Sequence, residues 1–316
     1  MITDKRKISL VSPFYNEEKG VHPFFARVSE VFAQLGERYE LEVVAINDGS
    51  RDHTYAELLR AQASYPYLTI VDLSRNFGKE AAISAGLDFA TGDAVIPIDS
   101  DLQHPPEVIP ELIAKWEEGA EVVLAKRVDR LTDRAIQKIT ANGFYKLHNF
   151  ISDIHIPADV GDFRLMDRRV VEALKTLPES RRFMKGLFAW VGFRSMMVEY
   201  QVAPRAHGTT SFNTWKLWNF AIEGITSYSS APLRIWTYLG CAVSALAFVY
   251  AVYLLIKTAW FGADTPGYAS LMITILFASG VQLIGIGVLG EYVGRIFVES
   301  KRRPVYIVRD VVKHEQ

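Results

Sequence analysis

Cysteine is nearly absent from this sequence: Cys241 stands alone among 316 residues, which excludes an intrachain disulfide and a Cys-rich zinc site. Its apolar surroundings favour an inert packed thiol. Net charge is missing too, at −1 from 35 basic and 36 acidic residues. No global field therefore recruits nucleic acid, and partners must be sought in local charge. No apolar leader precedes the first strand-like run, Ile8-Ser-Leu-Val, because Met1-Ile-Thr-Asp-Lys-Arg-Lys is polar. The expectation is a chain whose first part begins in the cytosol. Two long stretches, Ile235 to Ile256 and Thr265 to Gly290, carry no charge at all. At about 1.5 Å per residue each crosses a hydrocarbon layer of roughly 30 Å, so two transmembrane helices are predicted.

What is present divides at about residue 231. Before it, β-branched runs (Ile8 to Val11, Val43 to Ile46, Leu68 to Leu73, Ala94 to Ile98, Val122 to Ala125) alternate with helical periods (Phe24 to Leu35, Tyr55 to Ala63, Ala81 to Ala90, Val108 to Trp116). That alternation predicts an α/β domain with a largely parallel sheet, whose ligands lie beyond the carboxyl ends of the strands. The domain is expected over 1–210. Residues 211–231 follow as interfacial amphipathic helix, since Phe212 to Tyr228 mixes Trp215, Trp218 and Phe220 with Lys216 and Glu223. A core helix has the same periodicity; the position beside the first span decides between them. The spans occupy 232–298. Their connection, from Trp260 to Tyr268, has no Lys or Arg, whereas Arg234, Arg295, Lys301, Arg302 and Arg303 flank the pair, which places both ends in the cytoplasm. The tail, 299–316, contains Val305-Tyr-Ile-Val-Arg-Asp-Val-Val, of β-propensity, which adds a strand to its own domain or to a neighbouring subunit.

Polar residues gather where the strands end. Asp99-Ser-Asp101, followed by Leu102-Gln103-His104-Pro-Pro, offers two carboxylates one residue apart. Such a set suits a hard cation, Mg²⁺ or Mn²⁺, better than zinc, although Asp-x-Asp is also common in plain surface turns. Asn47-Asp48-Gly49-Ser50-Arg51-Asp52 leaves another strand. Its carboxylate suits a base or ribose, and its bland reading is a strand-to-helix loop with Asp52 or Thr54 as the cap. Arg75-Asn-Phe-Gly-Lys79 brings cations to a third strand end, and Arg127, Arg130 and Arg134 to a fourth. Gly285-Ile-Gly-Val-Leu-Gly290 fits the dinucleotide-binding pattern but lies inside the second predicted span rather than after a strand, so close helix packing is its reading. Glu291 and Arg295, four apart, are placed to pair.

In order along the chain, Pro13-Phe-Tyr-Asn-Glu17, Asn47 to Thr54, Ser74 to Glu80, Asp99 to Glu107 and Gly161-Asp-Phe-Arg-Leu165 resemble the motifs of family-two glycosyltransferases with the GT-A (Rossmann-like) fold. Within that family the sequence is similar to the polyprenyl-phosphate enzymes, relatives of dolichol-phosphate mannose synthase, and to bactoprenol glucosyltransferases of the GtrB type. The resemblance covers essentially the whole chain. It implies that Pro13, Tyr15, Glu17, Asp48 and Asp99 hold the donor nucleotide, that Asp99, Asp101 and Gln103 organise the metal and diphosphate, and that Lys79, Arg127, Arg134 and Arg205 lie near the phosphates or acceptor. Asp159 and Asp162 are the candidates for a catalytic base, with Asp101 a further catalytic residue; a turn before a strand is the alternative for Gly161-Asp162. The implied reaction is inverting transfer of a sugar, glucose from UDP-glucose, to undecaprenyl phosphate. Its implied setting is the inner membrane, in a multi-pass homo-oligomer with its catalytic domain cytoplasmic. A processive polysaccharide synthase is a rival, weakened by the lack of a Gln-x-x-Arg-Trp motif; a non-catalytic membrane scaffold is another.

Overall fold

The computed structural model describes residues 5–128, 160–179, 182, 184–201, 231–261 and 267–314. The expected interfacial segment, Asp159, Arg130, Arg134 and Arg205 all lie outside these residues.

The alternating apolar runs become strands β1 (Arg6–Phe14), β2 (Tyr39–Asn47), β3 (Leu68–Leu73), β4 (Ala94–Pro97) and β5 (Val122–Arg127). The helical periods between them become α1 (Val21–Leu35), α2 (Thr54–Ser64), α3 (Lys79–Phe89) and α4 (Ile109–Glu117). There follow β6 (Val160–Asp167), α5 (Arg168–Lys175), α6 (Met184–Trp190) and β7 (Ser195–Tyr200). The chain then forms two long helices, α7 (Ala231–Phe261) and α8 (Tyr268–Ser300), and ends in β8 (Val308–Val312).

One sheet unites all eight strands in the order β7-β5-β6-β4-β1-β2-β3-β8. β1 to β4 pair in parallel, as their sequences predict, but β6 runs antiparallel between β4 and β5, and β8 antiparallel on β3. The sheet is therefore mixed. Both faces are covered, which is why β1 is buried at every position from Ile8 to Ser12 and β2 from Val43 to Asn47. α1, α2 and α4 pack Phe24, Phe25, Leu58, Leu112 and Trp116 on one face. On the other, α3, α5 and α6 pack Ile83, Leu87, Val171 and Leu187.

Consecutive strands run from β1 outward to β3, then return to β4 on the other side of β1. That reversal opens a crevice between the carboxyl ends of β1 and β4, where α/β sheets bind their ligands.

α7 and α8 lie outside this core, and their apolar side chains are uncovered: Leu246 is 71% exposed and Phe277 67%. Cys241, expected to be packed, is exposed, and among the described residues α7 contributes no side chain to the buried core. Among the described residues one segment, Phe277–Ser300, is long and apolar enough to cross a membrane, and Ile235–Tyr250 is a shorter apolar stretch. The Gly-x-Gly-x-x-Gly run sits in α8, where a Cβ on Gly285 would lie 3.4 Å from the Trp236 ring of α7. Its glycine thus serves helix approach rather than a phosphate. Glu291 and Arg295 pair at 3.0 Å.

Candidate active site

Loops leaving β1, β2 and β3 are laced together mainly through backbone groups. Asn16 takes a left-handed φ of 54°; its N–H donates to Ser50 Oγ at 3.1 Å and its Oδ1 accepts from Arg51 N at 2.8 Å. Glu17 N and Glu18 N donate to Thr54 Oγ1 and Asp52 Oδ2. Asp52 also accepts from Thr54 N at 3.0 Å in the turn before α2, but the residue at the N-cap is His53 rather than the expected Asp52 or Thr54, and no side chain caps the helix. Gly49 has φ 62°, and a Cβ there would lie 2.3 Å from the carbonyl carbon of Arg75. Only glycine lets the second and third loops touch backbone to backbone. Asp48 is 3% exposed and accepts from Phe77 N (2.7 Å), Gly78 N (2.9 Å) and Asn76 Nδ2 (3.1 Å). Burial, the largest influence, leaves its pKa above the usual carboxylate value despite those donors. Asp48 thereby fixes the loop that leads to Lys79. Tyr15, directly after β1, is 44% exposed, and Pro13 O accepts from Ser100 Oγ at 3.1 Å.

Beyond β4 the chain turns through Leu102, also left-handed at φ 57°. Gln103 N donates to Asp101 Oδ1 at 3.1 Å in consequence. Lys79, the first residue of α3, places its Nζ 2.7 Å from Asp99 Oδ1 and 3.0 Å from Asp162 Oδ2. Burial would lower the Lys79 pKa, but Asp99 and Asp162 outweigh it and raise it. Burial would likewise raise Asp162, yet Lys79, then Lys185, holds it below the ordinary carboxylate range. Asp162 lies inside β6, not in a turn before it. Alternation along β6 sends Asp162 and Arg164 to the face under α3 and α6, where Arg164 Cζ rests 4.1 Å from the Phe188 ring centre. On the opposite face Phe163 stacks on His104, centroids 5.1 Å apart, and His104 Nδ1 lies 3.6 Å from Asp99 Oδ2. Arg127 ends β5 in register with Tyr200.

Among the described residues no group of three or more His, Cys, Asp or Glu gathers as a ready metal cage. Two hard carboxylates beside an open strand end nevertheless fit Mg²⁺ or Mn²⁺, which commonly take one or two carboxylates and complete their shell with phosphate oxygens and water.

Residues 9–175 match glycosyl transferase family 2, and residues 231–296 match the GtrB C-terminal hairpin. The chain belongs to glycosyl transferase family 2. This family 2 enzyme is 54% identical over 307 residues to a prophage bactoprenol glucosyl transferase homolog of Escherichia coli K12, covering 97% of this chain and 100% of that one. It is 55% identical over 304 residues to the bactoprenol glucosyl transferase of Shigella phage SfV (96% and 98%). With the uncharacterized glycosyltransferase sll0501 of Synechocystis it shares 52% over 305 residues (96% and 95%).

In this family 2 transferase the fold brings Pro13, Tyr15, Glu17, Asp48, Lys79, Asp99, Asp101, Gln103 and Asp162 to the end of the sheet where β1 to β4 terminate and β6 begins. Sequence reasoning passed over Glu80 and His104. Glu80 is raised to about 7, by burial first and the Asp162 charge second, and its Oε2 accepts from Met184 N at 3.2 Å. His104 had one visible signal, its place directly after Asp101-Leu-Gln.

Proposed function

We propose that this enzyme transfers glucose from UDP-glucose to the phosphate of a polyprenyl lipid, undecaprenyl phosphate, with inversion, at the cytoplasmic face of the inner membrane. The observation that carries the reading is full-length likeness, hairpin included, to two proteins named bactoprenol glucosyl transferase or its homolog. In this reading 1–210 is the catalytic domain, 211–231 an interfacial segment, 232–298 a pair of membrane helices with both ends cytoplasmic, and 299–316 the tail. A homo-oligomer is part of the proposal.

Pro13, Tyr15, Glu17 and the loop held by Asp48 cradle the nucleotide, the exposed Tyr15 ring offering a stacking face for the base. Asp99, Asp101 and Gln103 hold Mg²⁺ or Mn²⁺, which when bound neutralises charge on the departing diphosphate. Lys79, Arg127, Arg134 and Arg205 offset the repulsion between two anions that must meet. The lipid phosphate, with a second pKa of about 6, is already largely anionic at neutral pH. Its oxygen forms the new bond to the anomeric carbon as the bond to UDP breaks, the electron pair leaving with UDP. No strong base is needed. Asp162, held ionised by Lys79, is a weak proton acceptor and acts by orienting that lysine; Asp159 remains the other acidic candidate on the acceptor side.

The test is to incubate the purified chain with undecaprenyl phosphate and a panel of radiolabelled nucleotide sugars, and count label in the organic phase. UDP-glucose should label the lipid most. Label from another sugar alone overturns the glucose assignment, and no lipid label from any sugar overturns the acceptor.

A further inference from the structure

The last strand lies far from the proposed catalytic carboxylates in sequence and at the outer margin of the sheet beyond β3, yet it is wired to the proposed donor loops. β8 pairs antiparallel with β3, Ile307 O accepts from Ser74 N at 2.9 Å, and Gln62 Nε2 donates to Val312 O at 3.0 Å. Arg309 spans two groups at once. Its Nη1 donates to Asp72 Oδ2 at 3.2 Å and its Nη2 to Ser74 O at 2.7 Å. Asp72 is 2% exposed, and its other oxygen accepts from Asn47 Nδ2 at 2.7 Å. Asn47 opens the loop containing Asp48 and Ser50, and its Oδ1 accepts from Ser50 N at 3.3 Å. Ser74 opens the loop that Asp48 grips. One guanidinium therefore sets the floor of both loops, and only seven residues separate α8 from the strand bearing it.

We infer that Arg309 is a positioning residue for donor binding, holding the Asn47–Ser50 and Ser74–Gly78 loops through Asp72 and Ser74, so that the segment following the C-terminal hairpin completes the nucleotide site. The inference rests on the proposal that those loops bind a uridine nucleotide. Arg309 itself is 61% exposed in its side chain. Its ion pair contributes little to global stability; its importance is where it holds the loops. A charge-assisted contact of this kind, lost, is expected to weaken nucleotide binding by about five- to tenfold.

The experiment uses the full chain in detergent and measures UDP binding by calorimetry, without lipid, alongside the KM for UDP-glucose and kcat. Arg309→Ala should raise the UDP Kd and the KM by about five- to tenfold with kcat within about twofold. Arg309→Lys, able to keep one of the two contacts, should recover part of the loss. Tyr306→Phe, which removes only the 2.6 Å bond to Asp88, should leave UDP binding unchanged. If Arg309→Ala does not accumulate folded, Arg309→Gln takes its place with the same expectation. An unchanged UDP Kd, a fall in kcat alone, or an equal shift in Tyr306→Phe overturns the inference while leaving the donor proposal standing. Wild-type protein that binds no UDP overturns the donor proposal and this inference with it.

Discussion

The two halves of the sheet solve the same problem differently. From β1 to β4 the strands are parallel, each ends in a polar loop, and those loops are held by backbone N–H groups, as at Asp48, Asn16 and Glu17. From β6 to α6 the site depends on side-chain charges meeting across the fold: Lys79 with Asp162, Glu80 behind them, Arg164 under Phe188. The first arrangement fixes a shape for a ligand with many hydrogen-bonding groups. The second sets a field, suited to steering an acceptor whose recognisable feature is charge.

That contrast can be broken most forcefully at Asp101. With Asp101 organising the leaving diphosphate as proposed, Asp101→Ala should reduce transfer by about 10²- to 10³-fold, while the unfolding temperature stays near wild type. Full turnover in EDTA would refute the metal assignment. Lys79→Met comes next, because it leaves Asp99 and Asp162 without the ammonium between them. Transfer should fall by roughly tenfold or more. Stability should fall as well, because Asp162, 12% exposed in its side chain, loses the cation that offsets its burial. Wild-type transfer by this variant would show that the charged half merely supports the fold.

The smallest effect is expected at Glu80. Burial, with Asp162, raises its carboxyl from 4.5 to about 7. Between those values the folded chain holds the proton more tightly than the unfolded one, so stability falls as pH climbs from about 4.5 to 7 and levels off above. Glu80→Gln removes that dependence: at pH 8 it should unfold a few degrees higher than wild type, and at pH 5 at nearly the same temperature. Parallel melting curves at both pH values would contradict the buried-charge picture.

The same division governs what could be read from sequence. Asp48, Asp99 and Asp101 were legible because each follows a strand of β-branched residues, and the order of the loops follows the order of the strands. β6 was not. Its antiparallel course depends on pairing with β4 and β5, and nothing local in Val160 to Asp167 encodes direction. Lys79 was legible as a cation at a strand end, but its pairing with Asp162, across α3, β4, α4 and β5, was not. Arg309 lay in a tail recognisable as a strand, with two possible hosts; only the register with β3 brings it to Asp72. Local chemistry was visible wherever backbone order and site order coincide, and hidden wherever a side chain reaches across the sheet.

The late arrival of β8 also sets a timetable. Arg309 lies 235 residues after Ser74, and at about 5–20 residues per second roughly 12–47 seconds of synthesis separate them. During that interval the outer edge of β3 has no partner strand, an open edge that invites pairing with another chain. Val308 to Val312 close that edge, so a truncation before Val308 should yield aggregated protein even with every proposed catalytic residue present.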